Sequence, residues 1–158
     1  MQALNRLLLI KICHRNNALD FFAAQMVGAG DADGMVSGAA HTTADTLKAI
    51  IYCVGSAPGT KNISSFFVMI TPKKELGKEG ILFFADCAVI PNPSAEELAG
   101  IAVSTAQSYK SLIGEAPKVA LLSFSTKGSA RHPDVDKGQK ALSIARQIDP
   151  TLEIDGTL

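Results

Sequence analysis

A long helix that feeds a short, unbroken apolar run limits most strongly what this sequence can become. Ser94 with Glu97 three residues later makes a capping box, and Leu98, Ile101, Ala102, Thr105, Tyr109 and Leu112 then recur at helical spacing until Gly114 and Pro117 stop them. Val119 to Leu122 follows, short and continuously apolar, the pattern of a central parallel strand covered on both faces. Parallel strands require crossover connections, and helical crossovers build a layered α/β domain.

The same alternation runs through the rest of the chain. Asn17 reads as a helix cap, with Asp20 in the first turn, Leu19, Phe22, Ala23 and Met26 on one face, and Gly28 and Gly30 as the stop. Asp33 to Ser37 reads as a short buried strand. Thr42 opens a second helix with Asp45 in its acidic first turn, an apolar stripe of Leu47, Ile50, Ile51 and Val54, and Gly55 as its end. Ser65 to Thr71 and Ile81 to Ala85 are β-branched and aromatic, and the link from Pro72 to Gly80 is too short for a crossover helix. These two runs are expected to be antiparallel neighbours. A last helix from about Asp134 to Ile148 is expected to bury Ala141, Ile144, Ala145 and Ile148, and Leu152 to Ile154 reads as a final strand. The expected fold is a three-layer αβα arrangement with a mostly parallel sheet plus one antiparallel section.

At 158 residues the chain is long enough to bury a sizeable core without disulfides or metal. Residues 17–158 read as one domain, while 1–16 form an unrecognised N-terminal extension. Fifteen basic side chains balance fifteen acidic ones, so the net positive charge that draws proteins to nucleic acid or anionic membranes is missing. Neither partner is expected. Cys13, Cys53 and Cys87 are odd in number and widely spaced, as in a reducing cytoplasm, and the apolar run Leu7 to Ile10 is interrupted by Lys11 and is too short to cross a bilayer. His14, His41 and His132 share no ligand spacing, and Asp31 to Gly34 begins like a calcium loop without its sixth-position glycine, so no metal is expected. Cys87 beside Asp86, at the end of an apolar strand, reads as a buried, inert thiol.

Two segments hold the positions where α/β sheets bind ligands, outside the carboxyl ends of strands. Ser37-Gly38-Ala39-Ala40-His41-Thr42-Thr43 offers a permissive glycine, hydroxyl donors and the unpaired N–H groups of a helix start, which suit an anion. The plainer alternative is that Thr42 or Thr43 caps the helix and His41 is a hydrogen-bonded loop residue. Ser123 to Pro133 packs Ser123, Ser125, Thr126 and Ser129, the cations Lys127 and Arg131, His132 and Gly128 between a strand and a helix. It has no G-x-x-x-x-G-K-[ST] pattern, so it is not a nucleotide-hydrolysing phosphate loop. Either it binds an anionic substrate or it is a solvated loop with Lys127 and Arg131 in water.

Three blocks carry a resemblance. Gly30 to Leu47 (GDADGMVSGAAHTTADTL), Leu82 to Val89 with Pro91-Asn92-Pro93, and Leu122 to Ala130 (LSFSTKGSA), closed by Asp155-Gly156, resemble phosphate acetyltransferase in this order, over about Leu19 to Gly156. The resemblance implies one of two α/β domains flanking a cleft, a half similar in fold to isocitrate and isopropylmalate dehydrogenases. It implies acetyl transfer between acetyl-CoA and phosphate, giving CoA and acetyl phosphate, with coenzyme A as substrate and no cofactor. Ser37, Gly38, His41, Thr42, Thr43, Ser125, Thr126, Lys127, Gly128, Ser129 and Arg131 would then contact phosphate, acyl or coenzyme A groups. The family's Pro-Val-Asn-Asp-Leu-Ser-Arg-Gly stretch does not occur in residues 1–158, and Arg6, Arg15, Arg131 and Arg146 are the only arginines, so no catalytic residue is assigned. The expectation is a partial enzyme that self-associates through an uncovered apolar surface; the alternative is a non-catalytic acetyl-CoA-sensing or dimerisation module.

Overall fold

A computed structural model describes residues 18–58, 62–126 and 129–156. The chain forms two compact units, Met1–Pro58 and Gly59–Leu158. Asn17, the expected first cap, lies outside the described residues.

The first unit is a helix pair. Helix α1 (Ala18–Ala29) and helix α2 (Thr43–Cys53) meet through Phe21, Ala24 and Ala49, with Met35 and Cys53 packed against them. Gly28 lets the helices close up, because a Cβ there would stand 2.3 Å from the Cys53 carbonyl oxygen. The expected apolar faces are not the buried ones. Leu19, Phe22, Ile51 and Val54 are exposed, while Asp20, Phe21, Ala24 and Ala49 are buried. The α1 sequence is apolar nearly all round, so its pattern does not select a face, and small alanines are what allow close helix contact. Asp33 to Ser37 is not a strand: it pairs with no other segment among the described residues, and Val36 is fully exposed. A strand exists only through a partner that takes its backbone N–H and C=O groups, and here none is supplied.

The second unit begins with the expected hairpin. Strands β1 (Phe66–Ile70) and β2 (Ile81–Ala85) pair antiparallel from Phe66 opposite Ala85 to Ile70 opposite Ile81. Gly80, at φ 85°, closes the connection, and Thr71 N–H donates to its carbonyl. Phe66 stacks on Phe83 at 4.8 Å between ring centroids, and Phe83 meets Tyr109 edge-on at 5.1 Å. Helix α3 (Ala95–Ile113) carries the complete Ser94–Glu97 capping box and ends at Gly114 in the left-handed conformation. Strand β3 (Lys118–Leu121), helix α4 (Pro133–Ile148) and strand β4 (Glu153–Gly156) follow, with β3 and β4 parallel from Lys118 opposite Glu153 to Leu121 opposite Gly156. The main core gathers Ala99, Ala102 and Val103 of α3, Ala141 and Ala145 of α4, Leu121 and Ile154. Arg146 Nη2 donates to the Ile154 carbonyl at 2.9 Å and ties α4 to β4.

The chain is therefore α/β with two two-stranded sheets, one antiparallel and one parallel. Strand β3 is not covered on both faces, since Lys118 and Ala120 are exposed, as are Leu122, Leu112 and Ile148 at expected core positions. Continuous apolarity predicts burial only where neighbours exist on both sides. No helix among the described residues is long and apolar enough to cross a membrane.

Candidate functional site

In the first unit the Ser37–Thr43 loop is organised by a residue that sequence reasoning passed over as a helix-start charge. Asp20, 5% exposed, accepts a hydrogen bond from the Ser37 hydroxyl on Oδ1. Its Oδ2 has no hydrogen bond of good geometry, and His41 Nδ1 lies 3.0 Å away. Ser37 Oγ also stands 3.4 Å from Thr46 Oγ1. The carboxylate thus sits between serine and histidine, so His41 does not contact Ser37 Oγ in the way a nucleophile's base would. A protonated His41 would pair with Asp20 across that contact. Thr42 is the cap of α2: its hydroxyl accepts from Asp45 N–H at 3.2 Å and donates to Asp45 Oδ2 at 2.8 Å. The capping alternative holds for Thr42, whereas Thr43 is exposed in the first turn and Gly38 takes φ 105°.

In the second unit two loops leave the carboxyl ends of β2 and β3. Asp86, just after β2, accepts from Ser65 Oγ at 2.7 Å, Ala88 N–H at 2.8 Å, Val89 N–H at 2.9 Å and Ser65 N–H at 3.2 Å. Burial pushes its carboxyl upward, but these four donors outweigh burial and hold it below the usual carboxylate range. Cys87 Sγ donates to Ser65 Oγ at 3.3 Å, so the half-buried thiol belongs to this knot. Nothing in the residue types of Asp86 and Ser65 reveals the knot, because they are 21 positions apart.

The Ser123–Arg131 loop is built around Ser125, which is 1% exposed. Its Oγ accepts from Ala130 N–H at 3.0 Å and lies 3.1 Å from Ser129 Oγ, while Ser125 N–H donates to Ser123 Oγ at 3.0 Å. Three of the loop's four hydroxyls, those of Ser123, Ser125 and Ser129, therefore take part in holding its own shape. Thr126, Ser129 and Arg131 are exposed, and Lys127 and Gly128 lie outside the described residues. His132 caps α4, its Nδ1 accepting from Asp134 N–H at 3.2 Å, and Pro133 follows in the first turn. Lys137 Nζ donates to Asn92 Oδ1 at 2.9 Å, which joins the loop after β2 to the start of α4. The second unit thus presents hydroxyls and a cation beside a helix start, at the carboxyl ends of strands, an arrangement suited to an anion. Among the described residues no group of three His, Cys, Asp or Glu side chains is placed to hold a metal ion.

Comparison with known proteins gives one consistent answer. The family model described as Phosphate acetyl/butaryl transferase matches residues 11–158. A phosphate acetyltransferase of Thermoanaerobacterium thermosaccharolyticum is 54% identical over 138 residues, covering 87% of this chain and 42% of that protein. One from Clostridium acetobutylicum is 51% identical over 138 residues, covering 87% and 41%. The crystal structure of a phosphotransacetylase from Streptococcus pyogenes superposes with a TM-score of 0.78 at 42% identity, over 89% of this chain and 41% of the other. The chain spans about two fifths of the length of these relatives.

Proposed function

Because this chain belongs to the phosphate acetyl/butaryl transferase family, we propose that it supplies one wall of a site that moves an acetyl group between coenzyme A and phosphate. In that reaction the coenzyme A sulfur forms a bond to the acetyl carbonyl carbon of acetyl phosphate, the bond between that carbon and the bridging oxygen breaks, phosphate leaves with the electron pair, and the thiol proton passes to the departing phosphate. What this wall contributes is binding and orientation. Thr126, Ser129 and Arg131, with Lys127 and Gly128, would hold phosphoryl oxygens. Buried Ser125 would keep the loop in the shape that presents them. Ser37, Gly38, His41, Thr42 and Thr43 of the first unit would contact acyl or coenzyme A groups, with Asp20 accepting from Ser37 and lying beside His41. Coenzyme A enters as a substrate, no metal or other cofactor takes part, and the setting is cytoplasmic.

The observation that carries the reading is the exposed hydroxyl and guanidinium set of the Ser123–Arg131 loop at the carboxyl end of β3, in a family whose relatives are phosphate acetyltransferases. In the assembled enzyme this half would take the three-layer, dehydrogenase-like form. Exposed Phe67, Val68, Met69, Ile70 and Phe84 on the hairpin support self-association. Calorimetric titration with phosphate, acetyl phosphate and coenzyme A tests the binding role: Arg131→Ala with Lys127→Ala should weaken phosphate and acetyl phosphate together. Undiminished binding would refute it. A coupled acetyl phosphate assay separates the partial enzyme, with little turnover alone, from a complete one. Acetyl-CoA binding that shifts the oligomer, without turnover in any assembly, would favour the sensing module instead.

A further inference from the structure

The Ser37–Thr43 loop of the first unit carries hydroxyls and an imidazole, yet the structure turns their protons inward. Ser37 is exposed, but its hydroxyl donates to Asp20 Oδ1. Thr42 is exposed as well, and its hydroxyl donates to Asp45 Oδ2 at 2.8 Å while accepting from Asp45 N–H at 3.2 Å. A hydroxyl has one proton, so neither oxygen has one left for a ligand, and each keeps a lone pair. Ser37 Oγ also lies 3.4 Å from Thr46 Oγ1, and with the Ser37 proton on Asp20 the donor in that contact is Thr46.

Asp20 also decides the state of His41. The residue is 5% exposed, and its Oδ2 is buried without a hydrogen bond of good geometry. A buried carboxylate oxygen without a donor is costly, and His41 Nδ1 stands 3.0 Å away, close enough for its N–H to serve Oδ2. In a neutral imidazole, a proton on Nδ1 leaves Nε2, on the other side of the ring, as an acceptor.

We propose that Asp20 is a positioning residue that takes the protons of Ser37 and of His41 Nδ1, so that Ser37 Oγ and His41 Nε2 meet a ligand as acceptors. Thr42 Oγ1, with its proton on Asp45, does the same. The loop then selects a ligand by its hydrogen-bond donors. It turns away a phosphate, whose oxygens would face these lone pairs and the Asp20 and Asp45 carboxylates; Lys48 Nζ, 3.8 Å from Asp45 Oδ1, offsets only one of the two charges. The inference rests on the reading that this loop contacts acyl or coenzyme A groups, and it names the part that fits: the uncharged arm of coenzyme A, with its amide N–H, hydroxyl and thiol donors.

Nitrogen-15 NMR of the histidine rings in the full chain tests this at about pH 8, where an ordinary imidazole is neutral. His41, assigned by its absence in His41→Gln, should carry its proton on Nδ1 and none on Nε2. Pantetheine, the coenzyme A arm without any phosphate, should shift the Nε2 signal, and inorganic phosphate should not. Asp20→Asn keeps the shape with one acceptor atom in place of two, so either Ser37 or His41 turns its proton outward. That variant should bind pantetheine about fivefold more weakly, the worth of one hydrogen bond, and phosphate should now shift the His41 ring. If Asp20→Asn does not fold, Ser37→Ala gives a second readout: pantetheine should weaken several-fold while the His41 proton stays on Nδ1. A proton on Nε2 in the free chain, a pantetheine titration that leaves Nε2 unmoved, phosphate that moves it as much, or an unchanged preference in both variants would overturn the proposal. Failure of the Ser123–Arg131 loop to bind phosphate, or absence of turnover in every assembly, leaves the His41 signals unaffected and counts only against the acetyl-transfer reading.

Discussion

Ser125→Ala is the substitution whose consequence the structure specifies most fully. The hydroxyl is 1% exposed, accepts from Ala130 N–H at 3.0 Å and contacts Ser129 Oγ at 3.1 Å. Alanine fits the space and removes both interactions, leaving the Ala130 N–H without its acceptor. A lost hydrogen bond is worth about 1 kcal/mol and a stranded donor costs about 1–3 kcal/mol, so the loss should fall near 2 kcal/mol. With a urea dependence of about 2 kcal/mol/M, the unfolding midpoint of the second unit should drop by about 1 M, followed by far-ultraviolet circular dichroism. The Ala130 amide should lose its exchange protection at the same time. Thr126→Ala, one residue away but exposed, should change stability by no more than about 0.5 kcal/mol. If Ser125→Ala unfolds with the wild type and the Ala130 amide stays protected, the loop is not held by this hydroxyl, and Ser125 returns to being a ligand group.

Three further outcomes follow from other contacts. Asp86 is held below the usual carboxylate value, near 3.9 unfolded, so its hydrogen bonds add stability that is fully present above about pH 4 and fades as pH falls through the lowered folded value; Asp86→Asn should flatten that acid-side slope in urea midpoints measured between about pH 2 and 6. Gly80→Ala should destabilise the hairpin by about 2 kcal/mol or more, because φ is 85° and the new Cβ would stand 2.3 Å from the Thr71 carbonyl oxygen, readable as faster exchange at Thr71. Lys140→Ala breaks an exposed ion pair with Glu96 at 2.7 Å and should leave the melting temperature nearly unchanged, because solvent screens the pair.

Local signals were legible wherever neighbouring residues decide the outcome. Ser94 and Glu97 announce the start of α3, Thr42 that of α2, and Gly114 the end of α3, because a cap is satisfied within a few residues of itself. The short link between Ser65–Thr71 and Ile81–Ala85 foretold the antiparallel hairpin for the same reason. The buried face of α1 was not legible, since Leu19, Phe22 and Phe21 are equally apolar and only the approach of α2 through Ala49 and Cys53 selects Phe21 and Ala24. At the site, the donor-rich loops and their positions could be read, but Ser125 and His132 looked like free donors and turned out to shape the backbone. Asp20 and Asp86 escaped notice because their partners lie 17 and 21 positions away.

The sequence alone determined the starts of α2 and α3 and the end of α3, the antiparallel hairpin and, through three contiguous blocks, the family, because each depends on residues close together in the chain or on identities that need no geometry. Only the tertiary structure decided which apolar faces are buried and that Asp33–Ser37 pairs with no other segment among the described residues. Burial and strand pairing are relations between distant segments. An apolar run is compatible with a covered strand, but it becomes one only where partners arrive to take its edges and faces.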